Sequence, residues 1–204
     1  RWLAVAVGYP ARVIVICGSL EQAGRHDTLA TAVATRAVAL EAAVQVVGIV
    51  PEGADGDATL LALSEAGVGH AAVLRTALRP LERADLDLAL RYLPDARVVV
   101  AVDLDAELLP ALADGAAFAG ASLVVVTAHG AAAGVGRLTL PDSAIVLQAP
   151  VLDSDGTFAG FVAAFASRLD AGDAAADEWM STLQSLAVDP ISGSVGRPSP
   201  AADR

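Results

Sequence analysis

Apolar and polar positions fall into two kinds of run along the chain, which predicts strands and helices in alternation. Short runs rich in valine and isoleucine, such as Val44–Val50, are typical of strands. Ala96–Val102 is continuously apolar apart from one arginine, as expected for a strand buried on both faces of a sheet. Longer alanine-rich runs without internal Gly or Pro, such as Thr28–Ala43, are typical of helices.

The order of these runs predicts the fold class. The predicted strands are Trp2–Val7, Arg12–Cys17, Val44–Val50, His70–Arg75, Ala96–Val102, Ser122–Thr127 and Ala144–Gln148. The predicted helices are Thr28–Ala43, Asp57–Ala66, Leu81–Tyr92, Asp105–Phe118, Thr157–Leu169 and Ala174–Leu186. Strands separated by helices imply βαβ crossovers, so we predict an α/β three-layer sandwich with a mainly parallel central sheet. We expect one domain over 1–189 and a flexible tail over 190–204, which is rich in Gly, Ser and Pro.

Composition adds an expectation about assembly. Apolar residues make up 55% of the 204 residues and the mean hydropathy is +0.57, both high for a soluble monomer. A tight core of small side chains or a covered subunit interface would each account for this, and we expect a homo-oligomer.

Charge and missing residue types exclude several classes of function. The net charge of -11 leaves no basic stripe to neutralise phosphates, so we expect no nucleic-acid partner. The chain has no lysine and no asparagine, which excludes a P-loop and a lysine Schiff base. Cys17 is the only cysteine, so a disulfide scaffold is excluded. No run reaches the roughly 18 apolar residues of a membrane span, so we expect no membrane partner and a cytoplasmic protein.

The stretch Val46–Val68 carries the first family resemblance. A strand ends at Val50, a loop of Pro, Gly and acidic residues follows, and a helix begins near Asp55 or Asp57 and stops at Gly67. This resembles the G-x-V-G-x-D-x-x-G-x-x-x-x-x-x-L-x-x-x-G-V segment of ribokinase-like (PfkB) carbohydrate kinases. The resemblance implies a reduced ribokinase-like fold, a small polar molecule or nucleotide as ligand, and ATP with Mg²⁺ as cofactors if the chain is active.

A second stretch, Pro150–Gly160, is similar to the family's D-T-x-G-A-G-D-x-F-x-G motif. In that motif the backbone N–H groups at a helix N-terminus hold the transferred phosphoryl group, and the last Asp is the base. Aligning Phe158 and Gly160 with the motif places Gly156 at the position of the base, with Asp155 one residue early and Asp153 three residues early. The resemblance therefore implies that Asp155 is a displaced catalytic base and that Gly156 and Thr157 form the anion hole.

Candidate substrate contacts precede two of the predicted helices. The resemblance implies that Asp55, and Arg25 with Asp27 before the helix at Thr28, bind the substrate. The residues alone leave two alternatives open. Asp27 could cap that helix, or Arg25 and His26 could hold an anion together with the helix N-terminus.

A candidate metal site follows the strand Ala96–Val102. The carboxylates of Asp103, Asp105 and Glu107 stand at i, i+2 and i+4, a spacing that could hold a divalent ion, with Asp103 and Glu107 as the predicted ligands. Helix capping by Asp103 or Asp105, with Glu107 favoured by the helix dipole, is the alternative.

Taken together, the departures from the motif predict a shortened and degenerate ribokinase-like homologue. The base position, the glycine cradle, lysine and asparagine are missing together. We therefore predict a protein without phosphotransfer that binds a small polar molecule or acts through self-association. The alternative is an active ATP-dependent sugar or nucleoside kinase that uses the displaced Asp155.

Overall fold

Six parallel strands form the centre of the molecule. The structure, a computed structural model, describes residues 12–20, 28–76, 79–128 and 140–172. Within these ranges the strands are β1 Val13–Gly18, β2 Val44–Val50, β3 Gly69–Arg75, β4 Ala96–Val102, β5 Ser122–Thr127 and β6 Ile145–Gln148. Their order in the sheet is β3-β2-β1-β4-β5-β6, and every neighbouring pair is parallel. The predicted parallel sheet is confirmed.

Five α-helices and one short 3₁₀ helix connect or follow the strands in the described ranges. The α-helices are α1 Leu29–Ala39, α2 Ala54–Glu65, α3 Arg83–Arg91, α4 Leu109–Ala119 and α5 Thr157–Ala171, and the 3₁₀ helix is Ala106–Leu108. Helix α1 packs on α5, while α3 packs on α4. The two pairs cover opposite faces of the sheet, which confirms the three-layer α/β architecture.

Alternation along β1 shows how the two faces are filled. Val15 and Cys17 belong to the core cluster that contains Leu86 of α3 and Leu112 of α4. The intervening residues, such as Ile16, point to the opposite face because side chains alternate across a strand. That face is covered by α1 and α5, both of which contact β1.

The only cysteine lies in the middle of this core. Cys17 is fully buried, and burial raises the pKa of its thiol to about 12. The residue therefore packs as a small apolar side chain, as its sequence context predicts.

Two element boundaries differ from the prediction for backbone reasons. Helix α1 ends at Ala39 rather than Ala43, because Glu41 adopts a left-handed conformation with φ 65° that no α-helix can continue. The helix predicted from Asp105 is divided into the 3₁₀ turn and α4, and α4 has a proline in its first turn. The predicted strand Trp2–Val7, the helix Ala174–Leu186 and the tail 190–204 lie outside the described residues.

No helix in the described part of the chain combines the length and the apolarity that spanning a membrane requires.

Candidate functional site

The centre of the sheet is the point where the strand order reverses. From β1 at the centre, the strand order proceeds to one edge of the sheet through β2 and β3. From the neighbouring β4, it proceeds to the opposite edge through β5 and β6. In open parallel sheets, ligands bind in the crevice outside the carboxyl ends of the strands at such a point. The sheet topology therefore places the candidate site beyond Gly18 of β1 and Val102 of β4.

A cleft of about 450 Å³ opens at this position. Its walls come from the ends of β1, β4 and β5 and from the start of α1, and its polar lining consists of Ser19, Thr28, Asp103 and Thr127. Asp103 has a positive φ of 48°, and its backbone N–H donates to the carbonyl of Val126 at 2.9 Å. That bond ties the turn after β4 to β5, and the exposed Asp103 lines the cleft.

A second cleft of about 700 Å³ continues from the first. It lies between α1 and the segment 149–156 that leads into α5. Five residues line both clefts: Thr28, Leu29, Ala149, Pro150 and Val151. The two spaces therefore form one continuous depression, which we call the switch-point cleft. It is large enough to hold a small organic molecule.

The amide groups that open α5 already have acceptors from the chain itself. The carboxylate of Asp153 accepts hydrogen bonds from the backbone N–H of Phe158 at 2.9 Å and of Ala159 at 2.8 Å. Asp155 Oδ1 accepts from the N–H of Thr157 at 3.1 Å, and the N–H of Gly156 donates to the carbonyl of Asp153 at 3.1 Å. Gly156 and Thr157, the predicted anion hole, therefore donate to acceptors of their own turn.

Asp155, the predicted displaced base, is exposed and lines the switch-point cleft. The backbone N–H of Thr157 lowers the pKa of its carboxyl, and smaller contributions come from the Thr157 side chain and the positive charge of Arg36. A carboxylate with a lowered pKa is a weaker proton acceptor. This environment favours a role in capping over a role in proton abstraction.

Arg36, which is not among the site residues predicted from the sequence, lies against the same turn. It comes from the last turn of α1, and its Nη2 donates to the carbonyl oxygen of Asp155 at 3.3 Å. Gly156 has φ 69° and faces the guanidinium so closely that a Cβ there would clash with it. The only sequence signal is that Arg36 is the single charged residue of α1.

The motif alignment places Asp153 three residues before the base position and gives it no role. In the structure, its two carboxylate oxygens accept hydrogen bonds from the backbone N–H groups of Phe158 and Ala159, in the first turn of α5. The N-cap residue of α5 is Gly156, and Asp153 lies three residues before it. The usual capping signal is a polar side chain at the N-cap itself, so the sequence carries no such signal for Asp153.

The predicted metal ligands, Asp103 and Glu107, are both exposed. Asp105 stands at the N-cap of the 3₁₀ helix without a side-chain capping bond, and Glu107 lies within that helix. Among the described residues, no group of three or more His, Cys, Asp or Glu side chains is arranged to hold a metal ion. Metal binding by Asp103 and Glu107 therefore stays a prediction, without a third ligand from the described ranges.

Of the three predicted substrate contacts, the structure describes only Asp55. Asp55 is exposed in the first turn of α2 and does not line either part of the switch-point cleft. Arg25 and Asp27 lie outside the described residues. Thr28, rather than Asp27, caps α1: its Oγ1 accepts from the N–H of Thr31 at 3.2 Å, and Thr31 Oγ1 accepts from the N–H of Thr28 at 2.9 Å.

Comparison with solved structures identifies the class of fold. The chain is similar to the crystal structure of Sa239, with a TM-score of 0.59, 12% identity, and coverage of 93% of this chain and 97% of that one. It is similar to Arabidopsis thaliana ribokinase complexed with ribose and ATP, with a TM-score of 0.55, 14% identity, and coverage of 83% and 88%. A PfkB protein from Polaromonas sp. JS666 gives a TM-score of 0.52 at 14% identity, with coverage of 81% and 90%.

These similarities show that the chain has a ribokinase-like fold, as the sequence motifs predict. The sequence matches no protein-family model and no curated protein. At identities this low the structural similarity establishes the fold alone. Conclusions about ligand and chemistry therefore depend on the site.

Proposed function

We propose that this chain binds a small polar molecule in the switch-point cleft and does not transfer phosphate. The observation that carries the proposal is the occupied helix start: the first amides of α5 donate to Asp153 and Asp155. In a ribokinase-like fold these amides are where a phosphoryl group would be held, according to the motif resemblance.

Two physical effects oppose a phosphate at this position. Asp153 and Asp155 are tethered next to the amides, so their effective concentration is high and an external anion competes poorly with them. Their negative charges also repel an incoming phosphate. Arg36 is the one cation that lines the cleft in the described chain, against the carboxylates of Asp103, Asp153 and Asp155.

The lining of the cleft favours an uncharged polar ligand. The lining combines hydroxyl-bearing side chains, such as Thr28 and Thr127, with small apolar ones, such as Ala30 and Ala149. Such a surface offers hydrogen bonds to hydroxyl or amide groups and apolar contact to a ring or carbon chain. Ribose, which is bound in the similar Arabidopsis structure, supplies one member of the ligand panel to test.

An active ATP-dependent sugar or nucleoside kinase is the second candidate. One observation favours it: Asp155 is an exposed carboxylate that lines the cleft. In that case Asp155 would be the base, with ATP and Mg²⁺ as cofactors. Its lowered pKa and its bond to Thr157 weigh against this role.

Thermal unfolding with a ligand panel tests the binding proposal. The panel contains sugars, nucleosides and nucleotides, each added without a second ligand. A ligand at a hundred times its Kd stabilises a protein by about 2.7 kcal/mol. We expect an uncharged member to raise the melting temperature and ATP to leave it unchanged.

A pair of variants locates the binding. Ala128→Phe fills the part of the cleft beyond β5, whereas Ala58→Phe adds the same side chain to the exposed surface of α2. We expect Ala128→Phe to abolish the ligand-induced shift and Ala58→Phe to keep it. Equal shifts in both variants would place the ligand elsewhere and contradict the proposal.

A turnover assay separates the two candidates. ADP formation from ATP and the sugar and nucleoside panel is followed in the native chain, Asp155→Asn and Asp142→Asn, the last being an exposed control. We expect no turnover in any of them. Turnover that Asp155→Asn abolishes and Asp142→Asn keeps would establish the kinase instead.

A further inference from the structure

The outer face of α3 and α4 exposes large apolar side chains. The exposed fractions are 54% for Leu88, 77% for Tyr92 and 80% for Phe118. Leu88 lies in α3, and Tyr92, four residues later, is the C-cap residue of that helix, so the two lie on one side of it. Aromatic side chains exposed to this degree are enriched at protein interfaces compared with the rest of a protein surface.

A groove of about 540 Å³ joins the two helices at this face. Phe118 and Arg91 line it together, and Gly115 allows α4 to approach Leu90 of α3. Arg91 is also three residues from Leu88, so it lies between the groove and the apolar side of α3. The exposed apolar side chains and the groove therefore form one surface, the α3–α4 patch, made of Arg83, Asp87, Leu88, Arg91, Tyr92, Asp114 and Phe118.

The charges of this patch are balanced, unlike those of the whole chain. The groove is lined by two arginines, Arg83 and Arg91, and two aspartates, Asp87 and Asp114. The chain as a whole has 24 acidic and 13 basic residues and a net charge of -11. Two copies of so acidic a protein repel each other over most of their surfaces. They can meet at low electrostatic cost where the charges balance.

Within the patch, Arg83 is shared by both aspartates, which leaves the charge of Arg91 and one aspartate charge for contacts with another molecule. Arg83 contacts Asp114 at 3.1 Å and Asp87 at 3.7 Å. Arg91 has no ion pair or hydrogen bond with the residues that the structure describes. The Asp114 side chain remains 73% exposed despite its contact with Arg83.

We propose that the α3–α4 patch is a self-association surface, in which a second copy of this chain packs Phe118 and Tyr92 against the same patch. In a two-fold symmetric dimer each contact occurs twice. Arg91 of each copy then faces Asp114 of the other, and the apolar side chains fill the space between these two ion pairs. This inference is independent of what the switch-point cleft binds, because the patch lies on the opposite face of the sheet from α1 and α5.

Sedimentation velocity over a range of protein concentrations is the first test. We expect the native chain to form a dimer, and Phe118→Ser and Tyr92→Ser each to weaken dimerisation at least about tenfold. Leu61→Ser is the matched control, since Leu61 is 60% exposed on α2 away from the patch. All three side chains are exposed, and circular dichroism verifies that each variant is folded. A monomeric native chain, or equal effects of Phe118→Ser and Leu61→Ser, would overturn the proposal.

A charge exchange tests the specific pairing. Arg91→Glu alone faces Asp114 with a like charge, and Asp114→Arg alone faces Arg91 with a like charge, so we expect each variant to be monomeric. When the two variants are mixed, the carboxylate introduced at position 91 of one copy meets the guanidinium introduced at position 114 of the other, and the native pair remains on the second side. We expect the mixture to regain the dimer. A mixture that stays monomeric would overturn the assigned pairing.

Discussion

Two helices begin at the switch-point cleft, and their first turns are capped in different ways. Helix α1 is capped by the hydroxyl of Thr28, which exchanges hydrogen bonds with Thr31 and carries no charge. Helix α5 is capped by the carboxylates of Asp153 and Asp155. Both first turns line the same space. The partial positive charge of a helix start is therefore neutralised at α5 and kept at α1.

Under the proposed function, this difference lets the fold bind an uncharged ligand at the cleft without binding an anion at α5. A single residue at the right place in the turn, Asp153, supplies two acceptors to α5. Removing or titrating one cap at a time, and measuring the free energy of unfolding, tests this comparison of α1 with α5.

Removing the charged cap of α5 should have the largest effect. Asp153→Ala leaves the amides of Phe158 and Ala159 without acceptors, and hydrogen bonds to a charged group are stronger than neutral ones. We expect a loss of about 2 kcal/mol in the free energy of unfolding, measured by urea denaturation. Asp142→Ala, at an exposed loop position, serves as the control. Equal losses in the two variants would show that Asp153 is not a cap.

Removing the neutral cap of α1 should cost less. Thr28→Ala deletes the acceptor for the N–H of Thr31, and both residues are buried. We expect a loss of about 1 kcal/mol in the same denaturation experiment. A loss greater than that of Asp153→Ala would reverse the proposed ranking of the two caps.

The two caps should also respond differently to pH. The pKa of Asp155 is lowered in the folded state, chiefly by the N–H of Thr157. Its stabilising effect is therefore complete above the unfolded-state value, for which 3.8 is the reference, and is lost as pH falls through the lower folded-state pKa. We expect Asp155→Asn to lose less stability than the native chain during acid titration below that value.

Thr28→Ala provides the contrast for this titration, because a hydroxyl cap does not ionise. The difference in stability between Thr28→Ala and the native chain should stay constant over the same pH range. A difference that changes with pH would mean that the α1 cap depends on an ionising group.

The smallest effect is expected from Arg36. Its guanidinium is exposed, and its bond to the carbonyl of Asp155 is 3.3 Å long. Exposed charge contacts contribute little to stability. We expect Arg36→Ala to change the free energy of unfolding by less than about 0.5 kcal/mol. A loss near that of Asp153→Ala would show that the turn depends on Arg36 for its conformation.

Much of the fold could be predicted because hydrophobic runs mark the strands directly. The limits of β2, β4 and β5 agree with the predicted ranges, since each is an apolar run that ends at polar or small residues. The end of α1 was missed because it depends on the backbone of Glu41, a residue whose type does not suggest a left-handed conformation.

The candidate site was harder to predict, because its contacts join distant parts of the chain. The motif resemblance directed attention to the turn before α5, which lines the switch-point cleft. It could not show that Arg36 reaches Asp155 across 119 residues of sequence, or that Asp153 turns back onto the helix. The Arg36 contact depends on the packing of α5 against α1. The Asp153 contacts span only five and six residues, but they depend on the conformation of the turn.

The position of Cys17 makes it a built-in reporter for these measurements. The chain contains one thiol, which is wholly enclosed in the central strand and has a pKa raised to about 12. Alkylating reagents need both access and a thiolate, so the native protein should react only in molecules that have opened across the sheet. The rate of covalent labelling at this one atom would therefore follow global opening in every variant, without an introduced probe.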